Sequence, residues 1–139
     1  MKRKEKPLTF KWNKKFIYPK SVRSLVNDAR HYSVGDEKLP SVTTILSATQ
    51  SSEKRESLAR WQAKVGKNEA ERVKNVAGKR GTAMHQYLEY MVAEKNLLDL
   101  TEEGVEAQRM AEVVRDKGFN DLEEIWGSEV VLSYPGLYA

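Results

Sequence analysis

The amino-acid sequence predicts an α+β fold, with helices through the middle of the chain and β structure near its two ends. Three observations predict it. Apolar residues recur at helical spacing, most clearly at Met84, Leu88, Met91 and Val92. Two short runs are rich in strand-forming residues, Arg30-His31-Tyr32-Ser33-Val34 and Glu129-Val130-Val131-Leu132-Ser133. Glycines, prolines and capping residues punctuate the intervals between them.

The order of elements follows from local chemistry. Residues 1–29 read as a basic arm. Lys2, Arg3, Lys4, Lys6, Lys11, Lys14, Lys15, Lys20 and Arg23 crowd it, interleaved with Phe10, Trp12, Phe16, Ile17 and Tyr18. Such an arm suits a phosphate backbone, although a solvated tail explains the charge without any partner. Its aromatics can stack bases or pin the tail onto a core, and pinning is the expectation.

Residues 30–139 read as one domain. Arg30–Val34 is the first predicted strand, followed by a turn over Gly35-Asp36-Glu37-Lys38. Pro40 introduces a short helix capped by Ser41, with Val42, Ile45 and Leu46 on one face. Ser52 is the expected cap of a second helix, which carries Leu58, Trp61 and Val65 on one side and ends at Gly66. Asn68 is the expected cap of a third, running to Gly78. The string Gly78-Lys79-Arg80-Gly81 then predicts a break, and Thr82 the start of a helix reaching about Lys95. Thr101, followed by Glu102 and Glu103, caps a further helix that closes at Gly118, with Gly104 weakening its first turn. Glu129–Ser133 is the last predicted strand, Tyr134-Pro135-Gly136 a turn, and Leu137-Tyr138-Ala139 the start of a returning strand. A sheet begun so late predicts a fragment or one half of a split gene, although an ordinary apolar tail or a single strand added to Arg30–Val34 accounts for the pattern equally well.

Composition narrows the chemistry. The 139 residues suffice for one hydrophobic core, and 40% hydrophobic with 32% charged residues is ordinary for a globular protein. No cysteine is present, which excludes disulfides, thiolate metal sites and cysteine nucleophiles and fits a reducing, cytoplasmic setting. No apolar run approaches the ~20 residues of a membrane span, so no membrane partner is expected. The basic start lacks the apolar stretch of a secretory signal. Any metal must be held by carboxylates, histidine or carbonyl oxygens, a set suited to Mg²⁺ or Mn²⁺. The formal net charge of +4 agrees with a nucleic-acid partner without requiring one. There is no Walker A string, no G-x-G-x-x-G, no H-E-x-x-H and no nucleophile elbow.

Candidate chemistry centres on Arg80-Gly81-Thr82-Ala83-Met84-His85, followed by Leu88-Glu89. His85 and Glu89 are four residues apart and share a helical face, about 100° from the Met84 and Leu88 stripe. That places His85 at the border of core and solvent, able to offer an imidazole nitrogen to a metal or simply to a hydrogen bond. Gly81 permits a close backbone approach, Thr82 can cap the expected helix, and Arg80 beside its N-terminus occupies a position suited to phosphate. Glu129, opening a strand, can face a cleft or lie on a polar edge.

Three strings in order resemble phage exonucleases of the PD-(D/E)XK nuclease superfamily. They are Leu39-Pro40-Ser41-Val42-Thr43-Thr44-Ile45-Leu46, Arg80–His85 with Leu88-Glu89, and Trp126-Gly127-Ser128-Glu129-Val130-Val131-Leu132-Ser133 with Pro135–Ala139. The middle string is similar, more loosely, to RecB-type nucleases and the mitochondrial genome maintenance exonuclease. The resemblance implies the N-terminal helical half of a nuclease fold, α/β when complete, ending in the first part of a central sheet. It implies Mg²⁺- or Mn²⁺-dependent hydrolysis of DNA phosphodiesters, at ends or on single strands. His85 and Glu129 would be catalytic residues and metal ligands, and Arg80 and Thr82 would line the DNA path. The family's G-T-x-D string, with the D-x-K on the next strand, has no counterpart after Glu129. The chain alone is therefore expected to be inactive. A non-catalytic DNA-binding module and a protein–protein adaptor are the competing readings.

Overall fold

The computed structural model describes residues 9–139. They form two compact units, one of residues 9–16 with Asn68–Glu129, the other of Ile17–Lys67 with Val130–Ala139. Helices and an antiparallel sheet are both present, so the α+β expectation holds.

The second unit is built on a three-stranded meander of β1 (Ser21–Val26), β2 (Ala29–Val34) and β3 (Glu37–Pro40). Val26 pairs with Ala29, and Val34 with Glu37, so both hairpin loops are two residues long. Asn27 and Asp28 have φ of 50° and 63°. Positive φ at both central positions is the type I′ turn, whose twist matches that of the strands it joins. Strand β1 and this turn lie inside the segment read as an arm, so residues 21–29 are ordered sheet rather than tail. The second loop is Gly35-Asp36 alone, with Gly35 at φ 59°, and Glu37 and Lys38 already belong to β3.

Helix α1 (Val42–Ala48) starts where expected. The Ser41 hydroxyl accepts the Thr44 N–H at 3.1 Å, and the Thr44 hydroxyl donates to the Arg30 carbonyl at 2.9 Å, tying the helix start to β2. Helix α2 (Ser52–Val65) is capped by Ser51, one residue earlier than predicted, and Gly66 ends it at φ 89°. None of its residues is buried.

The expected strand Glu129–Ser133 does not form. Glu129 sits at φ 53°, in the left-handed region, which turns the chain out of the extended conformation a strand requires. Among the described residues, 130–133 pair with no strand. The turn after them does form. Gly136 has φ 74°, and the Tyr134 N–H reaches the Tyr138 carbonyl at 2.8 Å. The Ala139 N–H then donates to Pro40, at the end of β3.

The first unit is carried by α3 (Lys67–Val92) and α4 (Glu102–Gly118), followed by a short 3₁₀ turn, Phe119–Asp121. Ala83 and Tyr87 of α3 form a buried cluster with Ala107 and Ala111 of α4, flanked by Met84, Leu88, Met91 and Leu97. Thr101 caps α4 through the Gly104 N–H at 3.1 Å. A β-carbon on Gly104 would meet the Asp99 carboxylate, so a side chain there would displace that carboxylate from its place beside Thr101. The N-terminal aromatics pin this unit together. Phe10 packs edge-on against Phe119 at 5.5 Å, and the Trp12 indole donates to the Val92 carbonyl at 3.1 Å. Trp12 and Ile125 form a short parallel bridge, in which the Asn13 N–H donates to the Ile125 carbonyl at 2.9 Å and the Ile125 N–H to the Lys11 carbonyl at 2.8 Å.

Candidate functional site

Helix α3 is continuous through Gly78-Lys79-Arg80-Gly81, where a break was expected. Each glycine costs about 1 kcal/mol relative to alanine in a helix. Burial of Ala70, Ala83, Tyr87 and Val92 along 26 residues offsets that cost. Among the described residues, nothing lies within 4 Å of a β-carbon added to either glycine.

Continuity of the helix moves two expected site residues. Arg80 lies in the helix interior, away from any N-terminus, and its guanidinium pairs with Glu106 of α4 at 3.0 Å. Thr82 is not a cap. It lines a groove of about 740 Å³ with Lys74, Lys79, Gln86, Asp99 and Thr101. The helix N-terminus that suggested a phosphate position for Arg80 and a cap for Thr82 is absent at this point of the chain.

His85 and Glu129 do come together. The His85 Nδ1 lies 3.1 Å from a Glu129 carboxylate oxygen, across a separation of 44 residues. Their side chains are 64% and 51% exposed, so water reaches both. Two local features accompany the contact. His85 emerges at the solvent border of the stripe that buries Tyr87 and Val92. The backbone of Glu129 is left-handed, a conformation that costs a residue with a β-carbon roughly 1–2 kcal/mol. Strain of this kind persists only where its surroundings hold it.

Beside this pair lies a cleft of about 250 Å³, walled by Leu88, Glu89 and Val92 of α3 and by residues of the Phe119–Glu129 segment, Trp126 among them. Glu89 thus faces the same cleft as Glu129. Sequence reasoning did not find the group at the other end of the cleft wall. The Trp126 indole donates to Glu124 at 2.9 Å, and Lys11 stands 3.8 Å from the same carboxylate. Hydrogen bonds from the Asn13 side chain and from Trp126 hold the Glu124 carboxyl below its ordinary range, with Lys11 and Lys15 acting in the same direction. The Lys15 ammonium lies 4.7 Å from the Trp126 ring centre and 4.9 Å from that of Phe16. The signal for this cluster was the interleaving of lysines and aromatics in the first segment. What spacing did not reveal is that Trp126 joins it from more than a hundred positions away.

A divalent cation is a demanding test of these residues. Mg²⁺ prefers an octahedron of oxygens, and one imidazole and one carboxylate already bonded to each other do not supply it. Among the described residues, no three His, Asp or Glu side chains converge to hold a metal ion. These groups therefore do not fit a Mg²⁺ or Mn²⁺ centre by themselves. A D-x-K tripeptide does occur, Asp36-Glu37-Lys38, but it spans the β2–β3 turn, where the Glu37 carboxylate accepts the Gly136 N–H at 3.4 Å. It precedes His85 in the chain rather than following Glu129.

No protein-family model, curated protein or solved structure matches the chain. Among the described residues, no helix is long and apolar enough to cross a membrane.

Proposed function

We propose that this chain carries the histidine-and-acid part of a DNA exonuclease centre of the PD-(D/E)XK type. The observation that supports the reading is the 3.1 Å contact between His85 and Glu129. The two belong to separate strings singled out in the sequence, 44 residues apart, and nothing in either string's local pattern brings them into contact. A divalent metal held in such a centre would supply water activation and charge stabilisation for phosphodiester hydrolysis. Two donors are too few for that task. The reading therefore needs further carboxylates and a lysine beyond the pair, and Mg²⁺ or Mn²⁺ would bind only with them. His85 and Glu129 would orient one another at the edge of that centre, while Glu89 lines the shared cleft.

The test is digestion of end-labelled linear and single-stranded DNA, with Mg²⁺ or Mn²⁺, by the polypeptide as its cells produce it. His85→Ala should lower turnover by about 10²-fold, the scale of a positioned histidine, with little change in DNA affinity. Normal turnover in that variant would remove the role given to His85. The 139 residues alone should show no metal-dependent cleavage, and robust EDTA-sensitive cleavage by them would overturn the ligand-count argument. The second reading, a module that holds DNA without cutting it, is favoured by the lysine-flanked aromatics beside the cleft. Salt-sensitive DNA binding with no turnover in the natural polypeptide would select it.

A further inference from the structure

We infer that Phe16, Trp126 and Lys15 form a stacking platform for the bases of single-stranded DNA, which leads a strand toward the cleft of Glu89 and Glu129. The inference rests on the reading of this chain as one that handles DNA, and it holds for a nuclease and for a binding module alike.

Four aromatics of the first unit, Phe10, Trp12, Phe16 and Trp126, divide into two kinds. Phe10 and Trp12 are committed to anchoring, one against Phe119 and the other to the Val92 carbonyl. Phe16 and Trp126 meet at a centroid distance of 5.0 Å and an interplanar angle of 52°, yet remain 43% and 50% exposed. Two large rings left half in water give up much of the burial that would otherwise stabilise the fold. The platform is also rigid. The indole N–H is fixed on Glu124, and Asn13 holds the same carboxylate. A ring held in place loses little freedom when a base stacks on it.

Charge selects the occupant. Lys15 lies over both rings, while Lys11 and Lys14 are exposed nearby in the chain. Lys11 stands 3.8 Å from Glu124, the carboxylate that holds the indole. A cationic ligand would be repelled by the ammonium already seated on the rings. Bases stacked on aromatics, with phosphates beside lysines, are how single strands are held without sequence readout. A duplex keeps its bases inside and cannot use the rings. Because Trp126 also walls the cleft that Glu89 and Glu129 line, a strand end stacked on it would lie beside those carboxylates.

The experiment is titration of the full chain with an oligothymidylate of about 12 nucleotides, a length within known single-strand site sizes, and with a duplex of equal length. Fluorescence anisotropy at low salt, near ~50 mM, reports binding. The wild type should favour the single strand. Trp126→Ala with Phe16→Ala should weaken it about five-fold or more, the lower end of a lost base stack, whereas Trp126→Phe should retain most of the affinity. Circular dichroism establishes that the variants stay folded, and Trp126→Phe with Phe16→Ala provides an intermediate if the double alanine does not. Equal affinity for single strand and duplex, or unchanged affinity in a folded double variant, would overturn the platform while DNA handling stands. If the wild type binds neither oligonucleotide, the platform and the DNA reading fall together.

Discussion

Helices α2 and α3 carry the same kind of message in sequence and meet different fates. Each has an apolar stripe at helical spacing, Leu58, Trp61 and Val65 in one and Met84, Leu88, Met91 and Val92 in the other. In α3 the stripe flanks a buried cluster, because Ala83 and Tyr87 find Ala107 and Ala111 of α4. In α2 no residue is buried, and Leu58 and Trp61 remain 49% and 38% exposed. A stripe states which face of a helix favours burial. Whether that face stabilises the fold depends on a second element with matching shape, and α4 supplies one.

The largest expected effect sharpens this contrast. Ala107 has no exposed surface, and its neighbours are the buried Ala83, Tyr87 and Ala111. Ala107→Leu forces extra methylenes into a filled site and should cost about 1–3 kcal/mol in urea unfolding. Leu58→Ala, on the exposed face of α2, should change stability by no more than about 0.5 kcal/mol. A large loss from Leu58→Ala would mean that the α2 face is covered in solution, and the comparison would break.

What was readable in the sequence follows the same division. Caps and stops were legible because their chemistry is local. Ser41, Thr101, Gly66 and the Tyr134-Pro135-Gly136 turn each need only their immediate neighbours. The break at Gly78–Gly81 was a misreading, because two glycines weaken a helix that is held by partners far along the chain. Strand β1 was missed although Asn27-Asp28 suits a turn of positive φ, since lysines and aromatics on either side suggested a tail. The strand at Glu129 was predicted from composition and undone by one left-handed residue. Of the candidate site, the strings offered His85 and Glu129 only as candidates, and their 3.1 Å contact had no local signal because it joins positions 44 residues apart. Arg80 was placed by a helix start that does not exist, and its actual partner, Glu106, had no signal in the sequence.

A smaller effect separates the two helix starts of the second unit. Ser41 is buried at 3% exposure, and its hydroxyl bonds the Thr44 N–H as well as the hydroxyls of Thr43 and Thr44, both at 2.9 Å. Ser41→Ala should cost about 1–2 kcal/mol, because it removes a cap and leaves the network to β2 short of a partner. The Ser51 cap of α2 is exposed, with a longer bond of 3.4 Å to the Lys54 N–H. Ser51→Ala should fall at or below the lower end of the range for lost caps, about 0.5 kcal/mol. Equal losses, measured by thermal unfolding of both variants, would show that burial adds nothing to the cap.

The smallest effect belongs to the loop that leads into α4. The Asp99 carboxylate accepts the Thr101 hydroxyl at 2.7 Å and the Thr101 N–H at 3.0 Å, and these bonds hold its carboxyl below its ordinary value near 3.8. A group whose folded pKa is depressed stabilises the fold fully above its unfolded pKa. That contribution is lost as pH falls through the lower, folded value. Stability of the α3–α4 unit should therefore decline on acidification below about pH 4, and Asp99→Asn should flatten that part of the profile, because the amide does not titrate. The same substitution leaves a group of similar size against Gly104, so a change at neutral pH would reflect altered hydrogen bonding rather than packing. Unfolding followed between pH 2 and 7 in both proteins decides the matter, with about one pH unit per step sufficient to place the decline. If the acid limbs of the two proteins superimpose, Asp99 is not the carboxylate that couples this loop to pH.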